Sequence, residues 1–377
     1  MNAATLVIGL ALCSAATAYA LLTLLAVASS HWRRRADPAP DTPVTILKPL
    51  HGMEPRLYEN LRSFCVQDYP TFQVLLGMRD PADPALPIAR RIQQDFPDLD
   101  IEVVVDPQLH GRNHKVGNLA NLVRHARHPW LVIADSDISV GPDYLRRVCP
   151  PLADPGTGIV TCLYRGRALG GLWSRLGALF IDEWFVPAVH IARLFGSREF
   201  GFGATLALRR DTLGAIGGFE SIADQLADDY RIAERARALG LETKLSGYIV
   251  TTDVAEASLH QLVQHELRWM RTIRMLSPLG YPCMVISFGV VVAAIGAAIA
   301  GGTPGALALL ALTCAARATL HLAVARHARG WFLPRLRTLP LIVLRDVLNV
   351  GLWATAFAGH QVTWAGRELH SRDARPL

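Results

Sequence analysis

The 377-residue sequence is 51% hydrophobic with a positive mean hydropathy, which argues against a purely soluble protein and leaves room for two domains and a membrane part. Its formal net charge of +6 comes from basic residues spread along the chain, often beside acidic ones or next to apolar spans. No nucleic acid partner is therefore expected, and a basic face toward anionic lipid is the more natural use.

The six cysteines form no CxxC pair and no Cys/His cluster, which argues against structural zinc and against a disulfide framework and fits a reduced compartment. Residues 1–30 contain no Lys, Arg, Asp or Glu and are long enough to span a bilayer at about 20 residues per crossing. They lack a basic leader and exceed a signal-peptide core, so an N-terminal transmembrane helix is expected. His31-Trp32-Arg33-Arg34-Arg35 follows, and the positive-inside rule puts the chain from residue 31 onward in the cytoplasm. Residues 31–43, rich in Pro and Asp toward their end, read as a linker.

Strand and helix then alternate: strands at 44–50, 72–78, 101–105 and 130–134, with helices at 55–67, 85–96 and 116–127 between them. That spacing predicts an α/β domain with a Rossmann-like, mostly parallel sheet and helices on both faces. No GxGxxG follows the first strand, which speaks against a dinucleotide cofactor. Residues 158–164 and 204–208 read as strands around an aromatic-rich helical stretch at 172–195. Helices are expected at 223–239, carrying Asp228-Asp229-Tyr230, and at 258–275, carrying His265-Glu266-Leu267-Arg268-Trp269.

A C-terminal membrane region is expected over 282–360. Residues 284–300 are uncharged and read as a short span, and 306–325 carry only Arg317 and read as a second. Residues 339–358 carry Arg345 and Asp346 and either span or lie in the interface. Four arginines over 326–337 assign that loop to the cytoplasm, and residues 361–377 read as a polar tail.

The chemistry concentrates where the apolar run Trp130-Leu131-Val132-Ile133 ends in Ala134-Asp135-Ser136-Asp137. Carboxylates two apart at a strand end can share one Mg²⁺ or Mn²⁺, which bridges phosphate oxygens of a nucleotide. A turn of solvated aspartates is the bland alternative. Asp80 and Asp83 follow the second strand on the same sheet edge, so Asp83 can accept from a base or ribose, although Asp-Pro-Ala-Asp-Pro is also turn chemistry. Of the adjacent pair Asp228 and Asp229 only one can face a cleft, and Asp229 is the candidate general base; a solvated helix start is the rival. The loop from His110 to Lys115 precedes a helix N-terminus, where Asn113 and Lys115 can receive phosphate or a uracil edge, or it is an exposed basic loop. Arg268 can pair with a diphosphate and Trp269 with a sugar face, or both can anchor a helix at the membrane interface.

Together these residues resemble the membrane-bound, processive-type family of inverting glycosyltransferases with a GT-A fold, and within it the ceramide glucosyltransferase group, over roughly residues 44–276. Leu47-Lys48-Pro49-Leu50 with Gly52, then Asp68-Tyr69-Pro70, are similar to that group's opening. Asp83, Asp135 and Asp229 fall on its three aspartates, and Asn113-His114-Lys115 with Asn118-Leu119 on its substrate loop. The final motif is Gln or Arg, two residues, then Arg-Trp; Arg268-Trp269 match it, and His265 stands in the first position. Ala134 to Ile138, Thr161 to Gly166 and the His265 segment most resemble the bacterial hopanoid-associated branch.

The resemblance implies a UDP-sugar donor, a membrane lipid acceptor and a divalent metal on Asp135 and Asp137. The nucleotide sugar is implied on Asp83, Asp135, Asn113, Lys115, Arg268 and Trp269, with Asp229 as base. It implies a cytoplasmic domain over 44–276 at the bacterial inner membrane, moving N-acetylglucosamine from UDP-N-acetylglucosamine to bacteriohopanetetrol. Ceramide glucosylation is the close rival. A processive polysaccharide synthase shares the motifs, yet one hydrophobic segment before the domain and three after it are few for a polymer channel, and a non-catalytic scaffold would not need all the acidic sites.

Overall fold

A computed structural model of the chain describes residues 2–30, 41–326, 338–359, 361–364 and 367–370. The basic run 31–35, most of the linker, the arginine-rich loop after Arg326 and the end of the tail lie outside the described residues. The elements run α1 (Ala3–Ser30), β1 (Val44–Pro49), α2 (Leu57–Cys65), β2 (Phe72–Met78), α3 (Leu86–Asp95), β3 (Asp100–Val105), α4 (His114–Leu122), β4 (Trp130–Ile133), β5 (Ile138–Ser139), α5 (Tyr144–Val148) and β6 (Thr157–Ala168). There follow α6 (Leu172–Phe180), α7 (Val186–Leu194), β7 (Leu206–Arg209), α8 (Arg210–Ala215), α9 (Asp228–Ala238), β8 (Glu242–Val254), α10 (Leu259–Leu276), α11 (Gly280–Cys283), α12 (Gly289–Ile299), α13 (Pro304–Arg326) and α14 (Leu339–Thr355). The tail opens with the antiparallel pair β9 (Gln361–Trp364) and β10 (Arg367–His370).

The chain forms two compact units, one of Arg33–Arg167 with Ser197–Ala255 and one of Met1–Trp32, Ala168–Gly196 and Glu256–Leu377. Segments 168–196 and 256–276, grouped by sequence with the α/β domain, thus belong with the hydrophobic helices.

The α/β unit is built on one sheet of order β3-β2-β1-β4-β7-β6-β8-β5. Every residue of β1 is buried, as expected of a central strand covered on both faces. Alternation sorts the side chains. Ile46, Val74 and Val132 pack with Leu61 and Phe64 of α2 on one face. On the other, Leu47, Leu75 and Ile133 pack with Val116 and Leu119 of α4. The strands read from the alternating pattern, β1 to β4, are parallel. Beyond them the sheet is mixed, with β4/β7, β6/β7 and β5/β8 antiparallel. Parallel pairing puts the carboxyl ends of β1, β2 and β4 on one edge, so the loops carrying Gly52, Asp83 and Asp135 leave from the same side.

In the helical unit α1 and α12 meet backbone to backbone. A Cβ on Gly9 would fall 2.5 Å from the Gly296 carbonyl oxygen, and one on Gly296 2.8 Å from that of Gly9. The Thr17 and Thr313 hydroxyls, 2.8 Å apart, tie α1 to α13. Among the described residues, Ala3–Ser29 and Pro304–Val324 are long and apolar enough to cross a membrane. The uncharged stretch read as one short span is instead broken, Gly280–Ser287 meeting Gly289–Ile299 at 83°. The eleven-residue α12 reaches about 16 Å, short of a hydrocarbon core of about 30 Å.

The charges on the third hydrophobic segment are buried and paired. Arg345 of α14 meets Glu266 of α10 through both terminal nitrogens, at 2.9 and 2.7 Å, and its Nε donates to Asn349 at 3.0 Å. Arg317 of α13 bridges Glu183 at 2.8 Å and Asp346 at 3.3 Å. Glu183 sits on a π-helical turn, Ile181–Phe185, between α6 and α7, and also meets His321. Deleting one partner of such a pair strands a charge in a dry site, whereas deleting both removes the desolvation cost too. Arg345→Met should therefore destabilise the detergent-solubilised protein by roughly 3–5 kcal/mol. Arg345→Met with Glu266→Leu should recover most of the loss in thermal unfolding, and equal losses in the single and double variants would refute this account.

Candidate active site

The site begins where β4 runs out. Ile133 is the last strand residue, and the turn that follows carries Asp135 and Asp137 into β5. The Asp135 carbonyl faces inward, accepting from the Ile138 N–H at 3.3 Å and from the ammonium of Lys48, which stands fully buried on β1 over the Phe64 ring at 4.0 Å. Burial pulls the Lys48 pKa down to about 7, against the opposing pull of Asp137 and Asp135. Asp137 accepts from the Thr252 hydroxyl of β8 at 2.5 Å, on the residue that β5 pairs with Ile138. Burial first, then the neighbouring charge of Asp135, push Asp137 up to about 6.

Lys115 stands in the first turn of α4, which Asn113 caps by accepting from the Lys115 and Val116 N–H groups at 3.1 and 3.2 Å. Its ammonium lies 2.7 Å from Asp135 Oδ1 and 3.2 Å from Asp228 Oδ2. Burial alone would lower the Lys115 pKa, but the carboxylates of Asp135, Asp228 and Asp229 outweigh it and the pKa is raised.

Asp228 and Asp229 open α9, which starts at 228 rather than 223. Asp228 is buried against Lys115, so the pair is not a solvated helix start. Asp229 accepts from the Gly203 N–H at 2.7 Å and from its neighbour Tyr230 at 2.8 Å. Burial, then the charge of Asp228, push it up to about 6. Gly203 lies amid these groups: a Cβ there would sit 3.0 Å from Asp135 Oδ2, 3.3 Å from Lys115 Nζ and 3.5 Å from Asp229 Oδ2.

The structure thus gathers Asp135, Lys115 and Asp229 around one point, with Asp137 beside them. Asp83 stays on the same edge, but its oxygens accept from Gly52 at 3.0 and 3.2 Å, from Ala85 at 2.9 Å, and lie 3.3 Å from His51 Nδ1, which makes it a staple of two loops. Asn113 is turned inward as a cap, its amide donating to the Gln225 carbonyl at 2.8 Å. Arg268 and Trp269 belong to the helical unit, on α10. There Trp269 stacks on Phe180 at 5.5 Å, and His265 beside it bonds Glu256 at 2.6 Å.

Sequence reasoning passed over Asp228 as partner of Lys115, the Thr252 hydroxyl, Gly203, and Lys48 as anything but a motif letter. The Gly-Phe-Gly run at 201–203, just before a strand, was the available signal for Gly203, since glycine inside a strand-like stretch marks close backbone approach.

Asp135 and Asp137 offer hard oxygen donors of the kind Mg²⁺ and Mn²⁺ take, and burial first, then the charge of Asp135, raises Asp137, a cost that a bound cation would offset. Among the described residues no three His, Cys, Asp or Glu side chains form a metal cage. A cation here would draw its other ligands from phosphate oxygens and water, as Mg²⁺ characteristically does.

A mixed sheet with acidic loops at its carboxyl edge is the GT-A glycosyltransferase fold. The mannosyltransferase PcManGT from Pyrobaculum calidifontis, solved in complex with GDP-Man and Mn²⁺, shares it with a TM-score of 0.54 at 22% identity, over 94% of this chain and 99% of that one. The chain belongs to glycosyl transferase family 21, whose profile matches residues 8–376. Ceramide glucosyltransferase 1 of Caenorhabditis elegans is 23% identical over 239 residues, 63% of this chain and 51% of that protein. The ceramide glucosyltransferase of Gibberella zeae is 33% identical over 119 residues, 29% of this chain and 22% of its own length. The chain spans about half the length of the Caenorhabditis relatives it matches.

Lys115 is the cation that keeps three carboxylates together, which makes its removal pH-dependent in a definite sense. In Lys115→Met the charges of Asp135, Asp228 and Asp229 repel one another without their cation, and protonation of Asp229, already pushed up to about 6, relieves that repulsion. The loss of thermal stability relative to wild type should therefore be larger at pH 8 than at pH 5. A loss independent of pH would show that packing, not charge, is what Lys115 supplies.

Proposed function

We propose that the protein transfers a sugar from a UDP-sugar to a hydroxyl of a membrane lipid with inversion at the anomeric carbon. The observation that carries this reading is Asp229, a carboxylate steadied by the Gly203 N–H, pushed up to about 6, and gathered with Lys115 and Asp135 at the carboxyl edge of the sheet. A general base working near neutral pH needs such a pKa. Asp229 takes the hydroxyl proton as the lipid oxygen bonds to the anomeric carbon and the bond to UDP breaks. A single displacement of this kind gives a β-linked product from an α-linked donor. Lys115 holds Asp135 and Asp228 in register with the base, and Asp83 fixes the neighbouring loop of the nucleotide site. Asp135 and Asp137 would hold a divalent cation, Mg²⁺ or Mn²⁺, which when bound supplies positive charge to the departing diphosphate.

The catalytic unit is proposed to work on the cytoplasmic side of the bacterial inner membrane, with the apolar helices as its anchor. The relatives' name, ceramide glucosyltransferase, favours glucose as the sugar and ceramide as the acceptor, with UDP-glucose the donor that the motif resemblance implies. UDP-N-acetylglucosamine and bacteriohopanetetrol rest on the motif resemblance of Ala134 to Ile138 and the His265 segment. UDP release by the solubilised protein with Mg²⁺ or Mn²⁺, tested with both donors against both lipids, separates these pairs, and silence in all combinations would defeat the reading.

Asp229→Asn should keep UDP-sugar binding and lose turnover by about 10²-fold or more. Normal turnover would move the base elsewhere. Because the base acts only when ionised, kcat should fall as the pH drops through about 6. Asp228→Asn removes the like charge that raises Asp229, so the acid limb of its residual activity should move to lower pH; a limb that stays put would dissociate it from Asp229.

A further inference from the structure

Lys48 is a buried cation with no evident duty in packing. It lies at 0% exposure on β1, in the middle of the parallel half of the sheet, where apolar side chains are the rule. Among the described residues its ammonium has no carboxylate within ion-pair reach, and its hydrogen bond goes to the Asp135 carbonyl, with the Phe64 ring 4.0 Å away. Burying an ammonium for a single carbonyl is expensive, and a Met or Leu would fill the same space without that cost.

What the bond accomplishes is local. The Asp135 carbonyl also accepts the Ile138 N–H, so the turn 135–138 is closed on itself and pinned to the sheet at its first peptide. The two carboxylates of the turn are held separately, Asp135 by Lys115 and Asp137 by Thr252. Lys48 thus grips the backbone of the turn and takes no hydrogen-bonding position on the carboxylates themselves, which Lys115 and Thr252 hold.

We propose that Lys48 is a positioning residue for this site: by fastening the Asp135 carbonyl it sets the shape of the 135–138 turn, and through it the way Asp135 and Asp137 present their oxygens to a divalent cation and a nucleotide diphosphate. The inference deepens the glycosyltransferase reading and rests on it for its ligand, though the clamp itself does not. Partners that orient metal ligands typically matter 10–100-fold in metal affinity.

The test compares the full-length solubilised protein with Lys48→Met and Lys48→Gln by thermal unfolding, by hydrogen exchange over residues 134–140, and by titration with UDP in the presence and absence of Mn²⁺. In Lys48→Met the unfolding temperature should equal or exceed that of wild type, because a buried charge is gone. Exchange over 134–140 should quicken about tenfold while β2 and β3 stay as they were. Mn²⁺-dependent UDP affinity should fall roughly 10–100-fold, with the kinetic loss carried mainly by the donor KM. Lys48→Gln, which keeps an N–H donor on a shorter stem, should lie between. A folded Met variant with unchanged exchange and affinity overturns the proposal. Failure of both variants to fold overturns it too, since Lys48 would then support the core and not the turn. Exchange needs no ligand: if it quickens while wild type binds no UDP, the clamp stands and the glycosyltransferase reading falls.

Discussion

The contact between Lys115 and its carboxylates is the constraint on which the α/β unit's site depends. One ammonium joins the turn after β4 to the first turn of α9, two segments some ninety residues apart in sequence, from a position at the N-terminus of a third element, α4. Without a cation there, Asp135, Asp228 and Asp229 would repel one another in a half-buried place, and their close packing would cost stability wherever they are ionised. The placement of Lys115 is itself secured by Asn113, whose cap fixes where α4 begins and whose amide ties that start to the loop before α9. A helix cap, an ion pair and a glycine are thus links of one arrangement, and Gly203 completes it because a Cβ there would press on Asp135 and Lys115 where its backbone N–H reaches Asp229.

The helical unit solves a different problem with the same means. Charges on otherwise apolar segments are tolerable only when each meets a partner, and Arg317, Arg345 and Asp346 all do. The two arginines find acids on α10, after the last strand of the large sheet, and on the π turn after α6, between β6 and β7, and Asp346 pairs with Arg317. This is why the second unit takes in 168–196 and 256–276: those segments hold the acids that the arginines of α13 and α14 need. Close approach at Gly9 and Gly296 supplies the rest of the packing where no polar partner is required.

Much of the fold was legible in the sequence, for reasons that also mark where legibility ends. β1, β2 and β4 are short, mostly apolar runs buried along nearly their whole length, β3 is a half-buried edge strand ending in Val103-Val104-Val105, and the ranges of all four were read to within a residue or so. β8 went unassigned. Its Glu242–Val254 run alternates only irregularly in apolar character and contains Gly247, and its neighbours in the sheet, β6 and the two-residue β5, come from far along the chain, so only long-range pairing reveals it. The start of α9 was misjudged by five residues because Asp224 and Gln225 are occupied by Arg112 and Asn113, contacts more than a hundred residues away in the chain. The carboxylates themselves stood out, since Asp-x-Asp after a strand is a local signal. Their cation did not, because nothing in the letters around Lys115 says which acids it meets.

The charge inventory of the site carries a last consequence for its chemistry. Asp135, Asp137, Asp228 and Asp229 outnumber the two lysines among them, Lys48 and Lys115, and burial first, then the neighbouring acids, hold Asp137 and Asp229 above the usual carboxylate range. Such a place repels a nucleotide diphosphate on charge alone. On the proposed reading, donor binding would draw positive charge from outside the protein, delivered next to Asp135 and Asp137, and the proton shed from Asp137 as it arrives would make the binding pH-dependent. The same excess of acids leaves Asp229 ready to accept a proton near neutral pH. On the proposed reading, one electrostatic imbalance makes the site depend on a metal and equips it with its base.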